Sequence, residues 1–277
     1  MPQIHAKIPS GLWDALMLHS ERTQEPPQHI LNRALAEYLQ ISHHTLYQIS
    51  TATALVEGIY EGAVRVGMLR QHGDFGLGTF ENLDGEMVAL DGRFFQVRGD
   101  GSVNECKDAV LSPFAVMTHF VGNAAATLLS CDDLGALISR FDKLRRSDNL
   151  FFSLRVDGQF DHVRTRAMRK AQEGVPLVEA AKIQPEFEFV NLRGTLVGFW
   201  TPDYARTLNV PGYHFHFISD DRKHGGHLLE CSGQNLSLKI QDEDNLRIAL
   251  PETTDFLKAN LRRDPAEALA KAEKGKS

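Results

Sequence analysis

The chain has 277 residues, 42% of them hydrophobic, with 30 Lys and Arg against 36 Asp and Glu for a formal charge of -6. A chain of this length buries a sizeable core without disulfide or metal staples, and its mild acidity excludes a chain-wide polyanion-binding role, which needs clustered basic excess. No window approaches roughly 18 uninterrupted apolar residues and the first residues lack a leader pattern, so the chain reads as a soluble cytoplasmic protein that does not bind membrane.

In chain order, Gln3-Ile4-His5-Ala6-Lys7-Ile8 alternates polar and apolar residues as a half-buried strand does, and Pro9-Ser10-Gly11 breaks it. Ser10 is placed to cap a helix through Trp13, Leu16 and Met17. After Glu25-Pro26-Pro27, residues Ile30, Leu31, Ala34, Leu35, Tyr38 and Leu39 recur at helical spacing. Strand, helix and helix over residues 1–45 resemble a ribbon-helix-helix module, a family whose members form intertwined dimers and read DNA with the strand. The resemblance implies a reading face of Gln3, His5 and Lys7. The charge argues otherwise: Lys7, Arg22 and Arg33 stand against Asp14, Glu21, Glu25 and Glu37, whereas phosphate binding needs several neutralising contacts. Residues 1–45 are therefore expected to form an oligomerisation arm of a homodimer, with DNA binding the lesser reading.

From Leu46 the chain is strand-rich. Glu86–Leu90 and Arg93–Val97 flank Asp91-Gly92, which supplies the positive φ of a two-residue hairpin turn. The spacing of Leu128, Leu129, Leu134, Leu137, Ile138 and Phe141 predicts a helix over 124–143. Beyond a charged loop, strands are expected over 151–156, 187–199, 213–219, 227–231, 236–240 and 246–250, with a helix near 176–183 and a helical tail over 251–276. The pattern predicts an α+β fold of two sheet-centred domains, 46–170 and 171–277, with mixed or antiparallel sheets, flanking helices and the small strand-helix-helix arm. Cys106, Cys131 and Cys231 lie far apart with no CxxC spacing, which suggests buried free thiols.

The most informative stretch runs from Val210 to His227, VPGYHFHFISDDRKHGGH. Side chains alternate along a strand, so His214 and His216 project together while Tyr213, Phe215 and Phe217 face the core. The polar loop from Asp220 turns the chain back, Gly225-Gly226 permits tight re-entry, and His227 returns opposite the pair. Three converging imidazoles leave positions open for water or substrate. Zinc is the default ion, with manganese, cobalt and iron compatible with the same ligands. His224, beside Lys223 in the loop, is expected to face solvent. HxH also occurs in cupins, with Asp220 near the carboxylate place, but a third histidine only 11 residues after His216 makes that the runner-up.

The neighbouring words are more specific. QHGDFGLGTF from Gln71, LDGE from Leu83, GTLVGF from Gly194 and the histidine stretch are similar to the α-acetolactate decarboxylase family over about residues 46–273. The resemblance implies decarboxylation of (S)-2-acetolactate to (R)-acetoin on a metal held by His214, His216 and His227. It further implies functional roles for Thr79, Glu86, Arg166 and Glu273, with Arg164 and Arg169 as alternatives to Arg166. Decarboxylation of a 2-hydroxy-3-keto acid generates an enediolate whose charge a Lewis acid can stabilise. Arg166 is then expected to hold the carboxylate, Glu86 and Glu273 to move protons, and Thr79 to bond the substrate or orient Glu86. No organic cofactor is expected, since GDFGLGTF lacks the lysine of a phosphate loop. A reading of a different class is a metal- or ligand-sensing regulator that contacts DNA through the arm.

Overall fold

Glu86–Leu90 and Arg93–Val97 form the expected hairpin, and Asp91 and Gly92 take φ of 51° and 75° at its turn. In this computed structural model residues 6–38, 44–122 and 124–273 are described, without the side chains of His29, Ala36, Glu37, Leu129 and Glu273. The chain forms two units, 1–43 and 44–277.

The first unit holds α1 (Ser10–Thr23) and α2 (Pro27–Tyr38). Pro9 stands at the cap position of α1 and no side chain bonds there, so Ser10 is the first helical residue rather than the cap. Ala6–Pro9 carry no strand, and Gln3 and His5 lie outside the described residues, as does Leu39.

The second unit contains α3 (Ala52–Val56), α4 (Val66–Leu69), α5 (Leu134–Leu144), α6 (Leu177–Ala181), α7 (Thr254–Lys258) and α8 (Ala266–Glu273). Its first sheet comprises β1 (Thr45–Ile49), β3 (Phe75–Thr79), β4 (Glu86–Leu90), β5 (Arg93–Val97), β6 (Val103–Glu105), β8 (Ala115–Thr118) and β14 (Asn245–Ala249), in the spatial order β14-β1-β8-β3-β4-β5-β6. β14 runs parallel to β1, and the other pairs are antiparallel. β2 (Val64–Arg65) and β7 (Leu111–Ser112) make a two-stranded ribbon. The second sheet comprises β9 (Ala124–Cys131), β10 (Phe151–Arg166), β11 (Glu186–Thr201), β12 (Gly212–Ser219) and β13 (Gly225–Glu243). β10 pairs with both β11 and β13, and β12 joins β11 to the start of β13, so four strands close a ring that β9 flanks.

Period-two alternation explains how the sheets pack. Phe75, Leu77, Val88, Leu90 and Phe95 of the first sheet meet Val197, Phe199 and Ile218 of the second in one buried cluster. The intervening Met87, Ala89, Phe94 and Met117 face the other way, onto Val66 and Leu69 of α4. Behind the second sheet, Phe215 and Phe217 pack with Leu137 and Phe141 of α5.

The α+β class and the two sheets match the sequence reading, and three boundaries require correction. A division at residue 170 would separate β10 from β11 and β13, its partners in one sheet, and the chain returns to the first sheet at β14. The expected helix over 124–143 begins only at Leu134. Ala124–Cys131 pairs along β13, and Asp133 accepts the Ala136 N–H at 2.7 Å to cap α5, so tertiary pairing overrides the helical preference of the alanine run. The tail is two short helices, separated by a stretch that includes Pro265.

Glu243 is 1% exposed, with Ser153 Oγ and Gln241 Nε2 donating to its Oε1 at 2.6 and 2.9 Å. Burial pushes its carboxyl up from 4.5 to about 7, against the pull of these donors. A raised folded pKa gives stability that is fully present below 4.5 and lost as pH rises through about 7. Between pH ~5 and ~8 the stability difference between Glu243→Gln and the parent should therefore move toward the glutamine by on the order of 2 kcal/mol. Urea unfolding at both pH values checks this, and a pH-independent difference would refute it.

Candidate functional site

The rows of apolar residues between the two sheets end in polar ones. Phe75 and Leu77 lead to Thr79 along β3, Leu90 and Val88 lead to Glu86 along β4, and Ile218 leads to His216 and His214 along β12. Thr79 and Glu86 are direct cross-strand partners. The alternation that builds the core thus delivers polar groups to one end of the seam.

A second row crosses the other sheet laterally. His216 stands opposite His227, and His227 stands opposite Arg166 on its other side. Gly226 makes that approach possible: its φ is 133°, and a Cβ there would lie 2.6 Å from the Arg166 carbonyl oxygen, so a side chain at this position would push β13 off β10.

The three imidazoles present nitrogens within 4.8 Å of one another. His216 Nδ1–H donates to the Met87 carbonyl at 2.7 Å, which fixes the tautomer and leaves Nε2 as the ligand nitrogen. That Nε2 lies 3.7 Å from Glu86 Oε2, while Glu86 Oε1 accepts the Met168 N–H at 3.0 Å. Burial, and then the Arg166 guanidinium, push His214 down to about 3. The same two causes, followed by the other imidazoles, hold His227 well below the usual histidine range. Neutral imidazole is the ligand form.

The donor set fits a metal. His214 Nε2 and His227 Nδ1 stand 3.1 Å apart, close to the roughly 3.3 Å that separates two nitrogens about 2.0 Å from one tetrahedral ion. Nitrogen-only ligands with open positions suit zinc and do not exclude neighbouring transition metals.

Thr79, Glu86, Arg166, His214 and His227 line one cavity, whose wall includes Leu269 and Ala272 of α8. Both α8 residues are buried in a cluster with Met168, Leu177 and Val210. The tail therefore docks over the site. Glu273 is the last residue of α8, and its side chain lies outside the described residues. Thr79 Oγ1–H donates to the Gly85 carbonyl at 2.8 Å, bracing the entry to Glu86.

Other expected residues stand apart. Asp220 is exposed and pairs with Arg193 at 3.4 Å, so it is not a ligand. His224 is outside the triad, but its ring packs 4.8 Å from that of Phe189 and is half-buried rather than solvent-facing. Arg164 is engaged by Glu186 and Glu230 at 2.7 and 2.5 Å, and Arg169 is exposed. The sequence reading did not select the Met87 carbonyl, which no side-chain pattern reveals, or Gln184, whose Oε1 accepts from Arg166 Nη1 at 2.6 Å.

The profile of the alpha-acetolactate decarboxylase family matches residues 46–263. A curated alpha-acetolactate decarboxylase from Methylococcus capsulatus is 44% identical over 231 residues, covering 83% of this chain and 89% of that protein. One from Bacillus licheniformis is 37% identical, covering 83% and 91%. The crystal structure of alpha-acetolactate decarboxylase from Bacillus subtilis strain 168 aligns with a TM-score of 0.81 at 37% identity, covering 83% of this chain and all of that one. Sequence and fold agree, and the chain belongs to the alpha-acetolactate decarboxylase family.

Proposed function

We propose that this chain is a carboxy-lyase that converts (S)-2-acetolactate to (R)-acetoin and CO2, with zinc held by His214, His216 and His227, as a step of acetoin formation. The observation that carries this reading is the gathering of His214, His216 and His227, with nitrogens within 4.8 Å of one another, beside a cavity lined by Arg166, Glu86 and Thr79. When bound, the ion supplies Lewis acidity that steadies negative charge on substrate oxygen.

The chain's own groups account for the remaining steps. Arg166 offers its guanidinium to the substrate carboxylate and sets the carbon–carbon bond for cleavage. As that bond breaks, its electron pair moves into the adjacent carbonyl and CO2 leaves. Glu86, held at Oε1 by the Met168 N–H, moves a proton at Oε2. Glu273 is its partner in proton transfer: position 273 follows Leu269, which lines the cavity, by four residues along α8. Thr79 orients Glu86 through its bond to Gly85. The buried α8 wall keeps water from competing for the proton.

The test is acetoin formation by the purified protein, with loss on chelation, recovery on adding zinc, and chiral chromatography of the product. A metal-replete chain that releases no acetoin would refute the reading. We further assign residues 1–45 to the arm of a cytoplasmic homodimer, because Leu12, Trp13, Leu18, Leu31, Leu35 and Tyr38 are exposed on α1 and α2. Sedimentation should show full-length dimers and smaller species for residues 44–277; equal masses would overturn the assignment.

A further inference from the structure

We propose that Val210 and Leu269 set the size limit of the substrate: they form the partition between the small cavity of the site and a larger apolar one behind it, and so exclude 2-hydroxy-3-keto acids that carry long alkyl groups. The two cavities measure about 60 and about 360 Å³. Val210, His227 and Leu269 line both, and Val210 and Leu269 belong to one buried cluster.

The larger cavity follows from the way two strands diverge. β12 and β13 pair at His216 and His227, Phe217 and Gly226, and Ile218 and Gly225. On the far side of the histidines β12 stays with β11, where His214 stands opposite Phe199, whereas β13 follows β10, where Leu228 stands opposite Thr165. The sheet therefore opens in a wedge beside the triad, lined by side chains that include Leu134 and Ile138 of α5 and Leu229 of β13. Arg164 and Tyr213 also reach this lining, but Glu186 and Glu230 hold the guanidinium and Asp142 accepts the Tyr213 hydroxyl. The wall left over suits alkyl groups.

α8 straddles the divide. Ala266 and Ala270 face the larger cavity, Ala272 faces the smaller, and Leu269 borders both. Alanine at 266 and 270 keeps the larger space open, while branched side chains at 210 and 269 close it off from the site. His227 completes the wall but belongs to the imidazole triad, so Val210 and Leu269 are the members that can shrink without altering a ligand. A methylene gained or lost against such a wall shifts specificity on the order of tenfold or more.

This inference rests on the decarboxylase reading and deepens it, and the experiment keeps the two apart. The metal-loaded full chain is given 2-acetolactate and two isomeric homologues with butyl in place of one methyl: 2-acetyl-2-hydroxyhexanoate, lengthened at C2, and 2-hydroxy-2-methyl-3-oxoheptanoate, lengthened at the ketone. Each loses CO2 and gains a proton to give a hydroxyketone, so CO2 release reports on all three. The parent should prefer acetolactate. Val210→Ala and Leu269→Ala should each raise kcat/KM for at least one homologue, relative to acetolactate, by about tenfold or more. Ala266→Phe fills the larger cavity from a position outside the partition; alone it should leave acetolactate turnover as in the parent, and combined with Leu269→Ala it should cancel the gain. A wall residue with a merely structural role would not produce that reversal. If Leu269→Ala loosens α8 and lowers turnover of every substrate, Val210→Ala carries the test. A parent that converts the homologues as well as acetolactate, variants with unchanged ratios, or a gain that Ala266→Phe leaves intact would overturn the partition. A metal-replete parent inactive on acetolactate refutes the decarboxylase reading instead, and the partition falls with it.

Discussion

Replacing His216 by alanine is expected to strip most of the metal from the protein and lower kcat/KM on the order of 10³-fold, since several kcal/mol of charge stabilisation depend on the ion. His216 is 1% exposed, opposes His227 in register and has its tautomer set by the Met87 carbonyl. Two imidazoles cannot close the site that three define. His224→Ala should retain both metal and turnover, because that ring packs on Phe189 away from the triad. Elemental analysis of the two variants decides the matter, and comparable losses would show that the ligand set is wrong. Acid should act differently from mutation. In the metal-free fold, His214 has a depressed pKa of about 3 against 6.5, so its contribution to stability is present above 6.5 and is lost as pH falls toward 3. Metal-free protein should therefore lose stability across that window while His214 and His227 remain neutral in the fold.

The second large effect is expected at Glu86. Glu86→Gln preserves shape and an oxygen to accept the Met168 N–H, but it removes the carboxylate proposed to move the proton. A fall in kcat of about 10²- to 10⁴-fold, with metal content and melting temperature close to the parent's, is the expected result. Steady-state kinetics with parallel metal analysis measures it. A variant with parental kcat would remove Glu86 from proton transfer and leave it as a structural carboxylate beside His216.

The two results bear on what could be read from residues alone. The triad was legible because strand alternation is a strict rule and Gly225-Gly226 marks where the chain turns back within reach. The hairpin at Asp91-Gly92 was legible for a similar reason, since few residue pairs accept positive φ twice. The places of Thr79, Glu86 and Arg166 were reached only through resemblance, because their burial arises from two sheets meeting and no local pattern encodes that meeting. Ala124–Cys131 misled for the same physical cause: an alanine-rich run obeys its partner strand and not its own propensity. Gln184 lies in an irregular segment between α6 and β11, where periodicity has nothing to say.

The parallel pairing of β1 with β14 joins Thr45–Ile49 to Asn245–Ala249 across most of the unit's length, and α8 follows to wall the cavity. β8 can pair one edge of β1 early, while the other edge waits for β14. Contacts of such sequence separation are slow to form because loop closure precedes their reward. A chain in which α8 has yet to dock would hold the three histidines on adjacent strands but lack the wall that Leu269 and Ala272 supply. Chemical competence thus depends on the meeting of segments that lie far apart in sequence.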